Sequence, residues 1–452
     1  MIQIFALHSG YGLMTAAAAI DAGLLGAPQR RILVTMNTAA VPETAVDIGA
    51  ARFAPLHTRF DAVEALNPLI DPRHPTAWHP EPQDLPMLER LFTRAWGIDE
   101  TDVELFVQSP QVAPARTLMA LFSLARLGVI GDGLMTYSPI RDRLPRLITE
   151  RVERVIHPDV VPGVQPLVFA ETGAARVPVP PAAFAAVLHE VGDARPDAAL
   201  DALAADGAPT ALVIGQYLAA LGLVSAAEES AMQTAMIDTA ADAGARRVVF
   251  KPHPSAPPAL TAALRRRADE RGVAFAVYTG DQPAEYVAHR LRATDAVAVF
   301  STALPTLSAL YGTRIHGVGL DTVLRRLQPY ENSNRIPATI VDALTRPGDA
   351  FTAPGRMQHL VDTVGYAMQP RIVGHLRPRA EDFLSGLSAA ERERLVPADR
   401  LRALGLPGAP PPTRIGRVLA SGGGIGRLDE FALTAQAARR RVRRTWKAVT
   451  GR

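Results

Sequence analysis

The feature that most constrains the fold is a regular alternation of short apolar runs and helical stretches in the second half of the chain. Each repeat takes about 30 residues or fewer, the length of a strand–helix–strand unit in a parallel sheet. The predicted strands are 211–214, 247–250, 273–278, 296–300 and 314–318, and the predicted helices are 228–243, 259–271, 284–291 and 306–311. This half therefore predicts a doubly wound α/β domain.

The first half of the chain begins in the same way, with a pattern that becomes less regular. Its apolar runs and helical periodicity again favour a parallel sheet with crossover helices. The predicted strands are 2–6, 32–36, 103–107 and a short one from 129, and the predicted helices are 13–22, 116–127 and 144–155. Two Rossmann-like domains that face a central cleft are the expected architecture.

The expected domain boundaries follow from shifts in composition. Stretches rich in Pro, Ala, Asp and Gly at 177–181 and 192–210 separate the two alternating patterns. We expect a first domain over residues 1–185, a second over 205–350, and a helical extension over 351–452.

Composition excludes several classes of protein. The chain is 48% apolar and 21% charged, which is typical of a soluble globular protein. It has no cysteine, so disulfides, thiol catalysis and cysteine–metal sites are excluded. A net charge of +3 does not indicate nucleic-acid binding. We find neither an apolar run of about 20 residues nor a basic leader, and we expect a cytoplasmic protein.

The segment Lys251-Pro252-His253-Pro254 directly follows the predicted strand 247–250. Ligands of open α/β sheets bind beyond the carboxyl ends of the strands. Prolines on both sides restrict the backbone around His253, whose imidazole could hydrogen-bond an anionic leaving group or donate a proton to it. Lys251, one of only two lysines in the chain, would add a positive charge near the imidazole and is a candidate donor-binding residue. The other His-Pro pairs, which we expect in proline-rich loops, begin at His74, His79 and His157.

Three further segments follow predicted strands of the second domain. Ser301 and Thr302 could bind a phosphate at a helix N-terminus or act only as helix caps. Glu285 could accept hydrogen bonds from ribose hydroxyls, or it could be a solvated glutamate in the first turn of a helix. Gln216 ends the first strand of this domain and could line the cleft.

Asp132 lies between Gly131 and Gly133 and is the candidate catalytic residue of the first domain. It could be a general base that faces the cleft or part of an Asx turn. The segment Gly10-Tyr11-Gly12 lacks the third glycine of the dinucleotide-binding fingerprint, so a nicotinamide cofactor is not expected. The sequence also contains no P-loop and no metal-ligand cluster.

An Asp-Gly motif, then Lys-Pro-His-Pro, then a Ser-Thr pair resembles the bacterial sialyltransferases, and most closely the alpha-2,8-polysialyltransferase family of capsule enzymes. The resemblance covers residues 1–345. It implies a GT-B glycosyltransferase that uses CMP-sialic acid or a related CMP-nonulosonic acid, inverts the configuration and needs no metal. By this resemblance Asp132 is the base, His253 stabilises the departing CMP phosphate, and Ser301 and Thr302 bind that phosphate.

The chain departs from the family pattern at one position, because the first acid of the acid-acid-Gly motif is Gly131 here. Two other functions therefore stay open. One is a polymer glycerophosphotransferase with a CDP-activated donor, and the other is a non-catalytic protein that binds nucleotide sugars. The expected partners are the CMP-activated donor and a glycan or lipid-linked glycan acceptor, with no cofactor and no nucleic acid.

The C-terminus predicts a membrane contact. Residues 439–452, which include Arg439 and Arg452, carry seven basic side chains and no acid. Val442, Trp446 and Val449 fall on one face of a continued helix, a pattern typical of helices that lie on an anionic membrane surface. A solvated tail or a helix docked on the first domain is the alternative. The first interpretation predicts a peripheral protein on the inner face of the cell membrane.

Overall fold

A computed structural model of the chain describes residues 1–39, 46–98, 102–220, 222–253, 260–346, 348, 351 and 354–409. The described chain forms a first compact unit, Met1–Val361, and a second unit from Asp362 onward. The first unit contains two parallel sheets. The domain boundaries expected at 185, 205 and 350 stay predictions.

The first sheet has seven parallel strands in the order β3-β2-β1-β4-β5-β6-β7. Its central strands are buried on both faces, which is why they appear in the sequence as continuous apolar runs. The strands are β1 Ile2–Leu7, β2 Arg30–Thr35, β3 Ala62–Ala65, β4 Val103–Val107, β5 Arg126–Ile130, β6 Val152–Pro158 and β7 Ala175–Val179.

The helices of this half connect the strands, and the last of them leads to the second sheet. They are α1 Gly10–Asp21, α2 Ala54–His57, α3 Leu66–Ile70, α4 Leu85–Ala95, α5 Ala115–Leu121, α6 Arg146–Thr149 and α7 Pro181–Asp193. The Ser9 side chain caps α1 by accepting a hydrogen bond from the backbone N–H of Gly12 at 3.0 Å.

The second sheet has five parallel strands in the order β10-β9-β8-β11-β12. The strands are β8 Thr210–Ile214, β9 Arg247–Lys251, β10 Ala274–Val277, β11 Asp295–Ala298 and β12 Arg314–Gly317. The helices are α8 Ala198–Ala204, α9 Ala226–Asp242, α10 Leu260–Glu270, α11 Ala284–Leu291, α12 Ala303–Tyr311, α13 Leu320–Arg326 and α14 Arg335–Thr345. The predicted α/β fold class, with its two doubly wound sheets, is confirmed.

The predictions of two helices in the first half were wrong, one in part and the other for most of its length. The helix expected over 116–127 ends at Leu121, because Leu127, Val129 and Ile130 belong to the buried strand β5. The helix expected over 144–155 is reduced to the single turn α6, and strand β6 begins at Val152. Leu147, which the helical pattern assigned to an apolar face, is 80% exposed.

The second unit is helical, as expected for the extension. It contains the end of α15 Pro354–Met368, together with α16 Arg377–Ser385, α17 Ala389–Leu395 and α18 Ala398–Leu404. The Arg400 guanidinium donates to the Ala367 carbonyl oxygen at 2.7 Å and joins α18 to the end of α15. The basic segment 439–452 lies outside the described residues.

Each sheet has one position where the direction of strand order reverses. This switch lies between β1 and β4 in the first sheet and between β8 and β11 in the second. Crossover helices leave these positions in opposite directions, so a crevice opens beyond the carboxyl ends of the two strands. Ligand sites are therefore expected at these two switch positions.

Candidate active site

A cavity of about 340 Å³ opens at the switch position of the second sheet, and we call it the His253 cavity. Residues from both halves of the first unit line it. They are Met135, Ile214, Gly215, Gln216, Lys251, Pro252, His253, Phe300, Ser301, Thr302, Asn334 and Pro337. Five residues predicted from separate stretches of sequence, Gln216, Lys251, His253, Ser301 and Thr302, are thus brought together.

His253 follows β9 by two residues and is exposed at the edge of the cavity. Gly215 follows the neighbouring strand β8, and because it has no side chain it leaves room for the backbone at His253. A Cβ on Gly215 would lie 2.9 Å from the Phe250 ring and 3.2 Å from the His253 backbone nitrogen. A side chain at Gly215 would therefore displace the segment that carries the imidazole. Pro254, which was predicted to restrict the same segment, lies outside the described residues.

Lys251 ends β9 and is half-buried. Its Nζ donates to the Gly280 carbonyl oxygen at 2.9 Å and lies 5.0 Å from the centroid of the Tyr278 ring. Burial lowers the pKa of Lys251, while the carboxylates of Asp281 and Glu285 act in the opposite direction. The ammonium is thus held in place by the protein at the wall of the cavity.

Glu285 lies in the first turn of α11 and is outside the set of residues that line the His253 cavity. Burial raises its pKa, and a hydrogen bond to its own backbone and the charge of Lys251 counteract this effect. Glu285 is therefore neither fully solvated nor placed at the cavity wall, and its contact with a ribose stays a prediction.

Ser301 and Thr302 precede α12 at the end of β11. The Ser301 Oγ accepts the backbone N–H of Ala303 at 3.3 Å, so the predicted capping interaction is present. Thr302 makes no capping bond with its side chain, although it occupies the N-cap position. Both residues line the cavity.

The Gln216 side chain connects the ends of two strands. Its Oε1 accepts the backbone N–H groups of Val299 and Phe300 at 3.1 and 3.0 Å. The oxygen is thus engaged in joining the end of β8 to the end of β11. Only the amide N–H groups of Gln216 are left for a ligand in this conformation.

Asp132 lines a second cavity, of about 170 Å³, at the carboxyl edge of the first sheet, and we call it the Asp132 cavity. The Asp132 backbone N–H donates to Thr136 Oγ1 at 2.7 Å. Burial raises the pKa of Asp132, and both the charge of His8 and a hydrogen bond from Gln108 counteract this effect. A partly desolvated carboxylate that stays close to a histidine is suited to proton transfer.

Gly131 has no room for the first acid of the motif. A Cβ there would lie 2.8 Å from Thr136 Oγ1, 3.0 Å from the Ile156 carbonyl oxygen and 3.2 Å from the His157 Cβ. These distances are shorter than van der Waals contacts between such atoms. The local packing therefore explains why the motif carries a single carboxylate in this chain.

The two cavities adjoin each other. Met135 lines both of them. Gly133 has a positive φ of 54°, and a Cβ on it would lie 3.6 Å from the Thr302 Cβ. The loop that carries Asp132 thus packs against the loop that carries Ser301 and Thr302.

Three polar residues beside Asp132 were missed by the sequence analysis. His8 directly follows β1, and Gln108 and Ser109 directly follow β4. The Gln108 Oε1 accepts the His8 backbone N–H at 3.2 Å, and the His8 Nε2 lies 3.1 Å from the Ser109 Oγ. A signal was available, since polar residues directly after buried strands mark the ligand edge of a sheet.

The expectation for His157 was wrong. It lies in β6, not in a loop, and is buried. Burial lowers its pKa to about 4, and its Nδ1 lies 3.2 Å from the Pro158 carbonyl oxygen. A neutral, buried imidazole of this kind supports the packing beneath Gly131.

Among the residues that the structure describes, no group of three histidine and acidic side chains could hold a metal ion. In the same part of the chain, we find no helix with the length and hydropathy that crossing a bilayer requires.

The sequence model of the alpha-2,8-polysialyltransferase family matches residues 3–315. No curated protein is similar enough in sequence to be matched. Among solved structures, the chain is similar to the GT-B domain of a sialyltransferase from Photobacterium damselae, with 9% identity and a TM-score of 0.40. That match covers 77% of this chain and 98% of the other.

Two further solved structures are similar to the chain. One is the heptosyltransferase WaaC from E. coli with ADP, with 16% identity, a TM-score of 0.36, and coverage of 69% of this chain and 85% of the other. The second is UGT2 from Phytolacca americana, with 11% identity, a TM-score of 0.38, and coverage of 85% and 98%.

Proposed function

The chain belongs to the alpha-2,8-polysialyltransferase family and is a glycosyltransferase of the sialyltransferase type, and we propose that it transfers sialic acid or a related nonulosonic acid from a CMP-activated donor to a glycan hydroxyl. In this proposal the reaction inverts the configuration of the donor sugar and needs no metal. The observation that carries it is the pair of adjoining cavities, one with His253 and the other with Asp132.

The His253 cavity supports the donor half of the proposal. Negative charge grows on the CMP phosphate as the bond to the sugar breaks. His253, Ser301 and Thr302 are groups that can donate hydrogen bonds to that charge, and Lys251 supplies a positive charge at the same wall. Donors that are fixed before the reaction stabilise a developing charge more than water does.

The Asp132 cavity supports the acceptor half. The attacking hydroxyl must lose its proton as the new bond to the sugar forms. Asp132 lines this cavity, at the edge of the first sheet that adjoins the donor cavity, and its carboxylate interacts electrostatically with His8. An inverting transfer needs the base and the leaving group on opposite sides of the sugar carbon, and two adjoining cavities with one group in each support this part of the proposal.

The absence of the first acid at Gly131 favours a second candidate function, a protein that binds nucleotide sugars without transferring them. Binding of CMP is expected from both candidates, whereas release of CMP from a donor requires catalysis. The CDP-dependent glycerophosphotransferase expected as an alternative differs from the proposal in the donor alone.

A donor panel tests the proposal. The full-length protein is incubated with CMP-sialic acid, with other CMP-nonulosonic acids and with CDP-glycerol, and CMP or CDP release is measured with and without EDTA. We expect CMP release that EDTA leaves unchanged, and a product with inverted configuration by NMR. Binding of CMP by calorimetry without release from any donor would favour the non-catalytic candidate, and release of CDP alone would favour the glycerophosphotransferase.

A further inference from the structure

Four polar residues lie at the switch position of the first sheet, and we call them the His8 cluster: His8, Gln108, Ser109 and Asp132. They come from three strand ends that are distant in sequence. β1 pairs with β4 and β4 pairs with β5, so the residues that follow these strands lie side by side. The cluster occupies the place where ligands of open α/β sheets bind.

The Gln108 amide is held at both of its ends. Its Oε1 accepts the His8 backbone N–H at 3.2 Å, and its Nε2 donates to Ser9 Oγ at 2.7 Å. A Cβ on Gly12 would lie 2.5 Å from the Gln108 Oε1, so α1 leaves just enough space for this amide. The cluster is therefore built into the fold.

The Nε2 atom of His8 faces the Ser109 hydroxyl, whose Oγ lies 3.1 Å away. When the neutral ring carries its proton on Nδ1, Nε2 accepts a hydrogen bond from this hydroxyl. In this tautomer His8 can take a proton from Ser109.

Ser109 faces the Asp132 cavity and has a backbone conformation that is unusual for serine. Its φ is 52°, in the left-handed region that costs a non-glycine residue of order 1–3 kcal/mol. The hydroxyl lines the cavity on one side and contacts His8 on the other. A bound acceptor hydroxyl would meet Ser109 before it could meet His8.

We propose that the Ser109 hydroxyl passes the proton of the acceptor hydroxyl to His8 Nε2, and that the Asp132 carboxylate stabilises the resulting imidazolium. This inference rests on the proposed transferase function, and within it His8, not Asp132, is the final acceptor of the proton. The acceptor O–H bond breaks and its proton moves to Ser109 Oγ, while the Ser109 proton moves to His8. The acceptor oxygen bonds to the sugar carbon, and the electron pair of the broken carbon–oxygen bond leaves with the CMP phosphate.

Charges around His8 agree with this assignment. Burial lowers the pKa of His8, so the neutral ring is available at neutral pH, and the charge of Asp132 raises it. Tyr11 also interacts electrostatically with Asp132, and burial raises the pKa of its phenol so that it stays neutral, while the charged Arg141 lines the same cavity as Asp132. Asp132 is thus the charge that distinguishes His8 from an ordinary buried histidine.

The test uses His8→Gln, Ser109→Gly and Asp132→Asn in the full-length protein, with His79→Gln as the matched control. Glycine is chosen at 109 because it accepts the positive φ, and His79 is an exposed histidine of the same domain. We expect His8→Gln to lower kcat for transfer about 10²–10⁴-fold, and Ser109→Gly to lower it at least about tenfold. The affinity for CMP and the thermal midpoint should match those of the control.

A second readout follows the pH dependence. In the parent, log kcat should fall with unit slope at acid pH as His8 becomes protonated. Asp132→Asn removes the charge that raises the pKa of His8, so this limb should move to lower pH, and the His8 ring resonance should titrate at lower pH by NMR. His8→Gln should abolish this limb.

If the parent is active and either His8→Gln or Ser109→Gly has the same kcat as the parent, the relay is overturned. A His8 resonance that titrates alike in the parent and in Asp132→Asn overturns it as well, and this measurement needs no substrate. A parent that releases nucleotide from no donor contradicts the proposed function instead, so the two failures are distinguishable.

Discussion

Substitution of Gly131 tests why this chain carries one carboxylate where the related motif carries two. A Cβ at this buried position would lie 2.8 Å from Thr136 Oγ1 and 3.0 Å from the Ile156 carbonyl oxygen. The same Thr136 oxygen accepts the Asp132 backbone N–H at 2.7 Å. A side chain at 131 therefore presses on the group that holds Asp132 in place.

The expected loss of stability follows from these contacts. Overpacking a buried site costs about 1–3 kcal/mol, and a weakened hydrogen bond to the Asp132 amide adds about 1 kcal/mol. We expect Gly131→Ala to lower the free energy of unfolding by about 2–4 kcal/mol on these two terms. Gly131→Asp should lower it further, because a carboxylate is then desolvated as well.

Denaturant unfolding and kcat, measured on the same preparations, check this prediction. Gly355→Ala is the matched control, since a Cβ at Gly355 would meet no described atom within 4 Å beyond its own helix. That variant should be as stable as the parent or slightly more stable. If Gly131→Asp is as stable as the parent and more active, the steric explanation for the single carboxylate is refuted.

Three other variants address the remaining parts of the proposal. His253→Ala should lower turnover about 10²–10³-fold, the usual cost of one transition-state donor, while His79→Ala, which alters another His-Pro pair, should leave turnover unchanged; activity within a few-fold of the parent removes His253 from the mechanism. Asp132→Asn should lower turnover and spare CMP binding by calorimetry, and a loss of CMP affinity instead would make Asp132 a donor ligand. Deletion from Arg439 onward should release the protein from anionic vesicles at low salt and preserve CMP binding, because each basic residue near such a surface contributes roughly 1 kcal/mol; unchanged co-sedimentation contradicts the membrane contact.

Much of the second sheet could be predicted from the sequence because local signals agree there. Helix α11 was expected at 284–291 and is found at Ala284–Leu291, and β9 was expected to begin at 247 and does so. Each apolar run in this half is short and is flanked by glycine or polar residues. Under these conditions periodicity distinguishes strands from helices.

The first sheet was harder to predict because two of its segments carry conflicting patterns. Residues 144–155 place apolar side chains at helical spacing, but Val152, Val155 and Ile156 are β-branched and pack as a strand between β5 and β7. Pairing with two neighbouring strands outweighs the weak helical pattern.

Residues that share one strand end could be grouped from the sequence, whereas residues that share a sheet edge could not. Lys251 and His253 are neighbours along the chain, so a single predicted strand placed both. His8 and Ser109 are separated by 101 positions, and they meet because β4 pairs with β1. That pairing depends on strand order, which hydrophobic periodicity does not encode.

The two glutamines at the switch positions show why residue type alone does not separate ligand contacts from structural ones. Strands diverge in their connections at these positions, so backbone N–H groups beyond the strand ends need other partners. Gln108 accepts the N–H of His8 in the first sheet, and Gln216 accepts those of Val299 and Phe300 in the second. Gln216 was predicted to line the cleft, and it does line the His253 cavity, yet its oxygen is used in the same structural way as that of Gln108. Each glutamine fixes the segment that carries the chemical groups of its cavity, and this is a role that only the hydrogen bonds reveal.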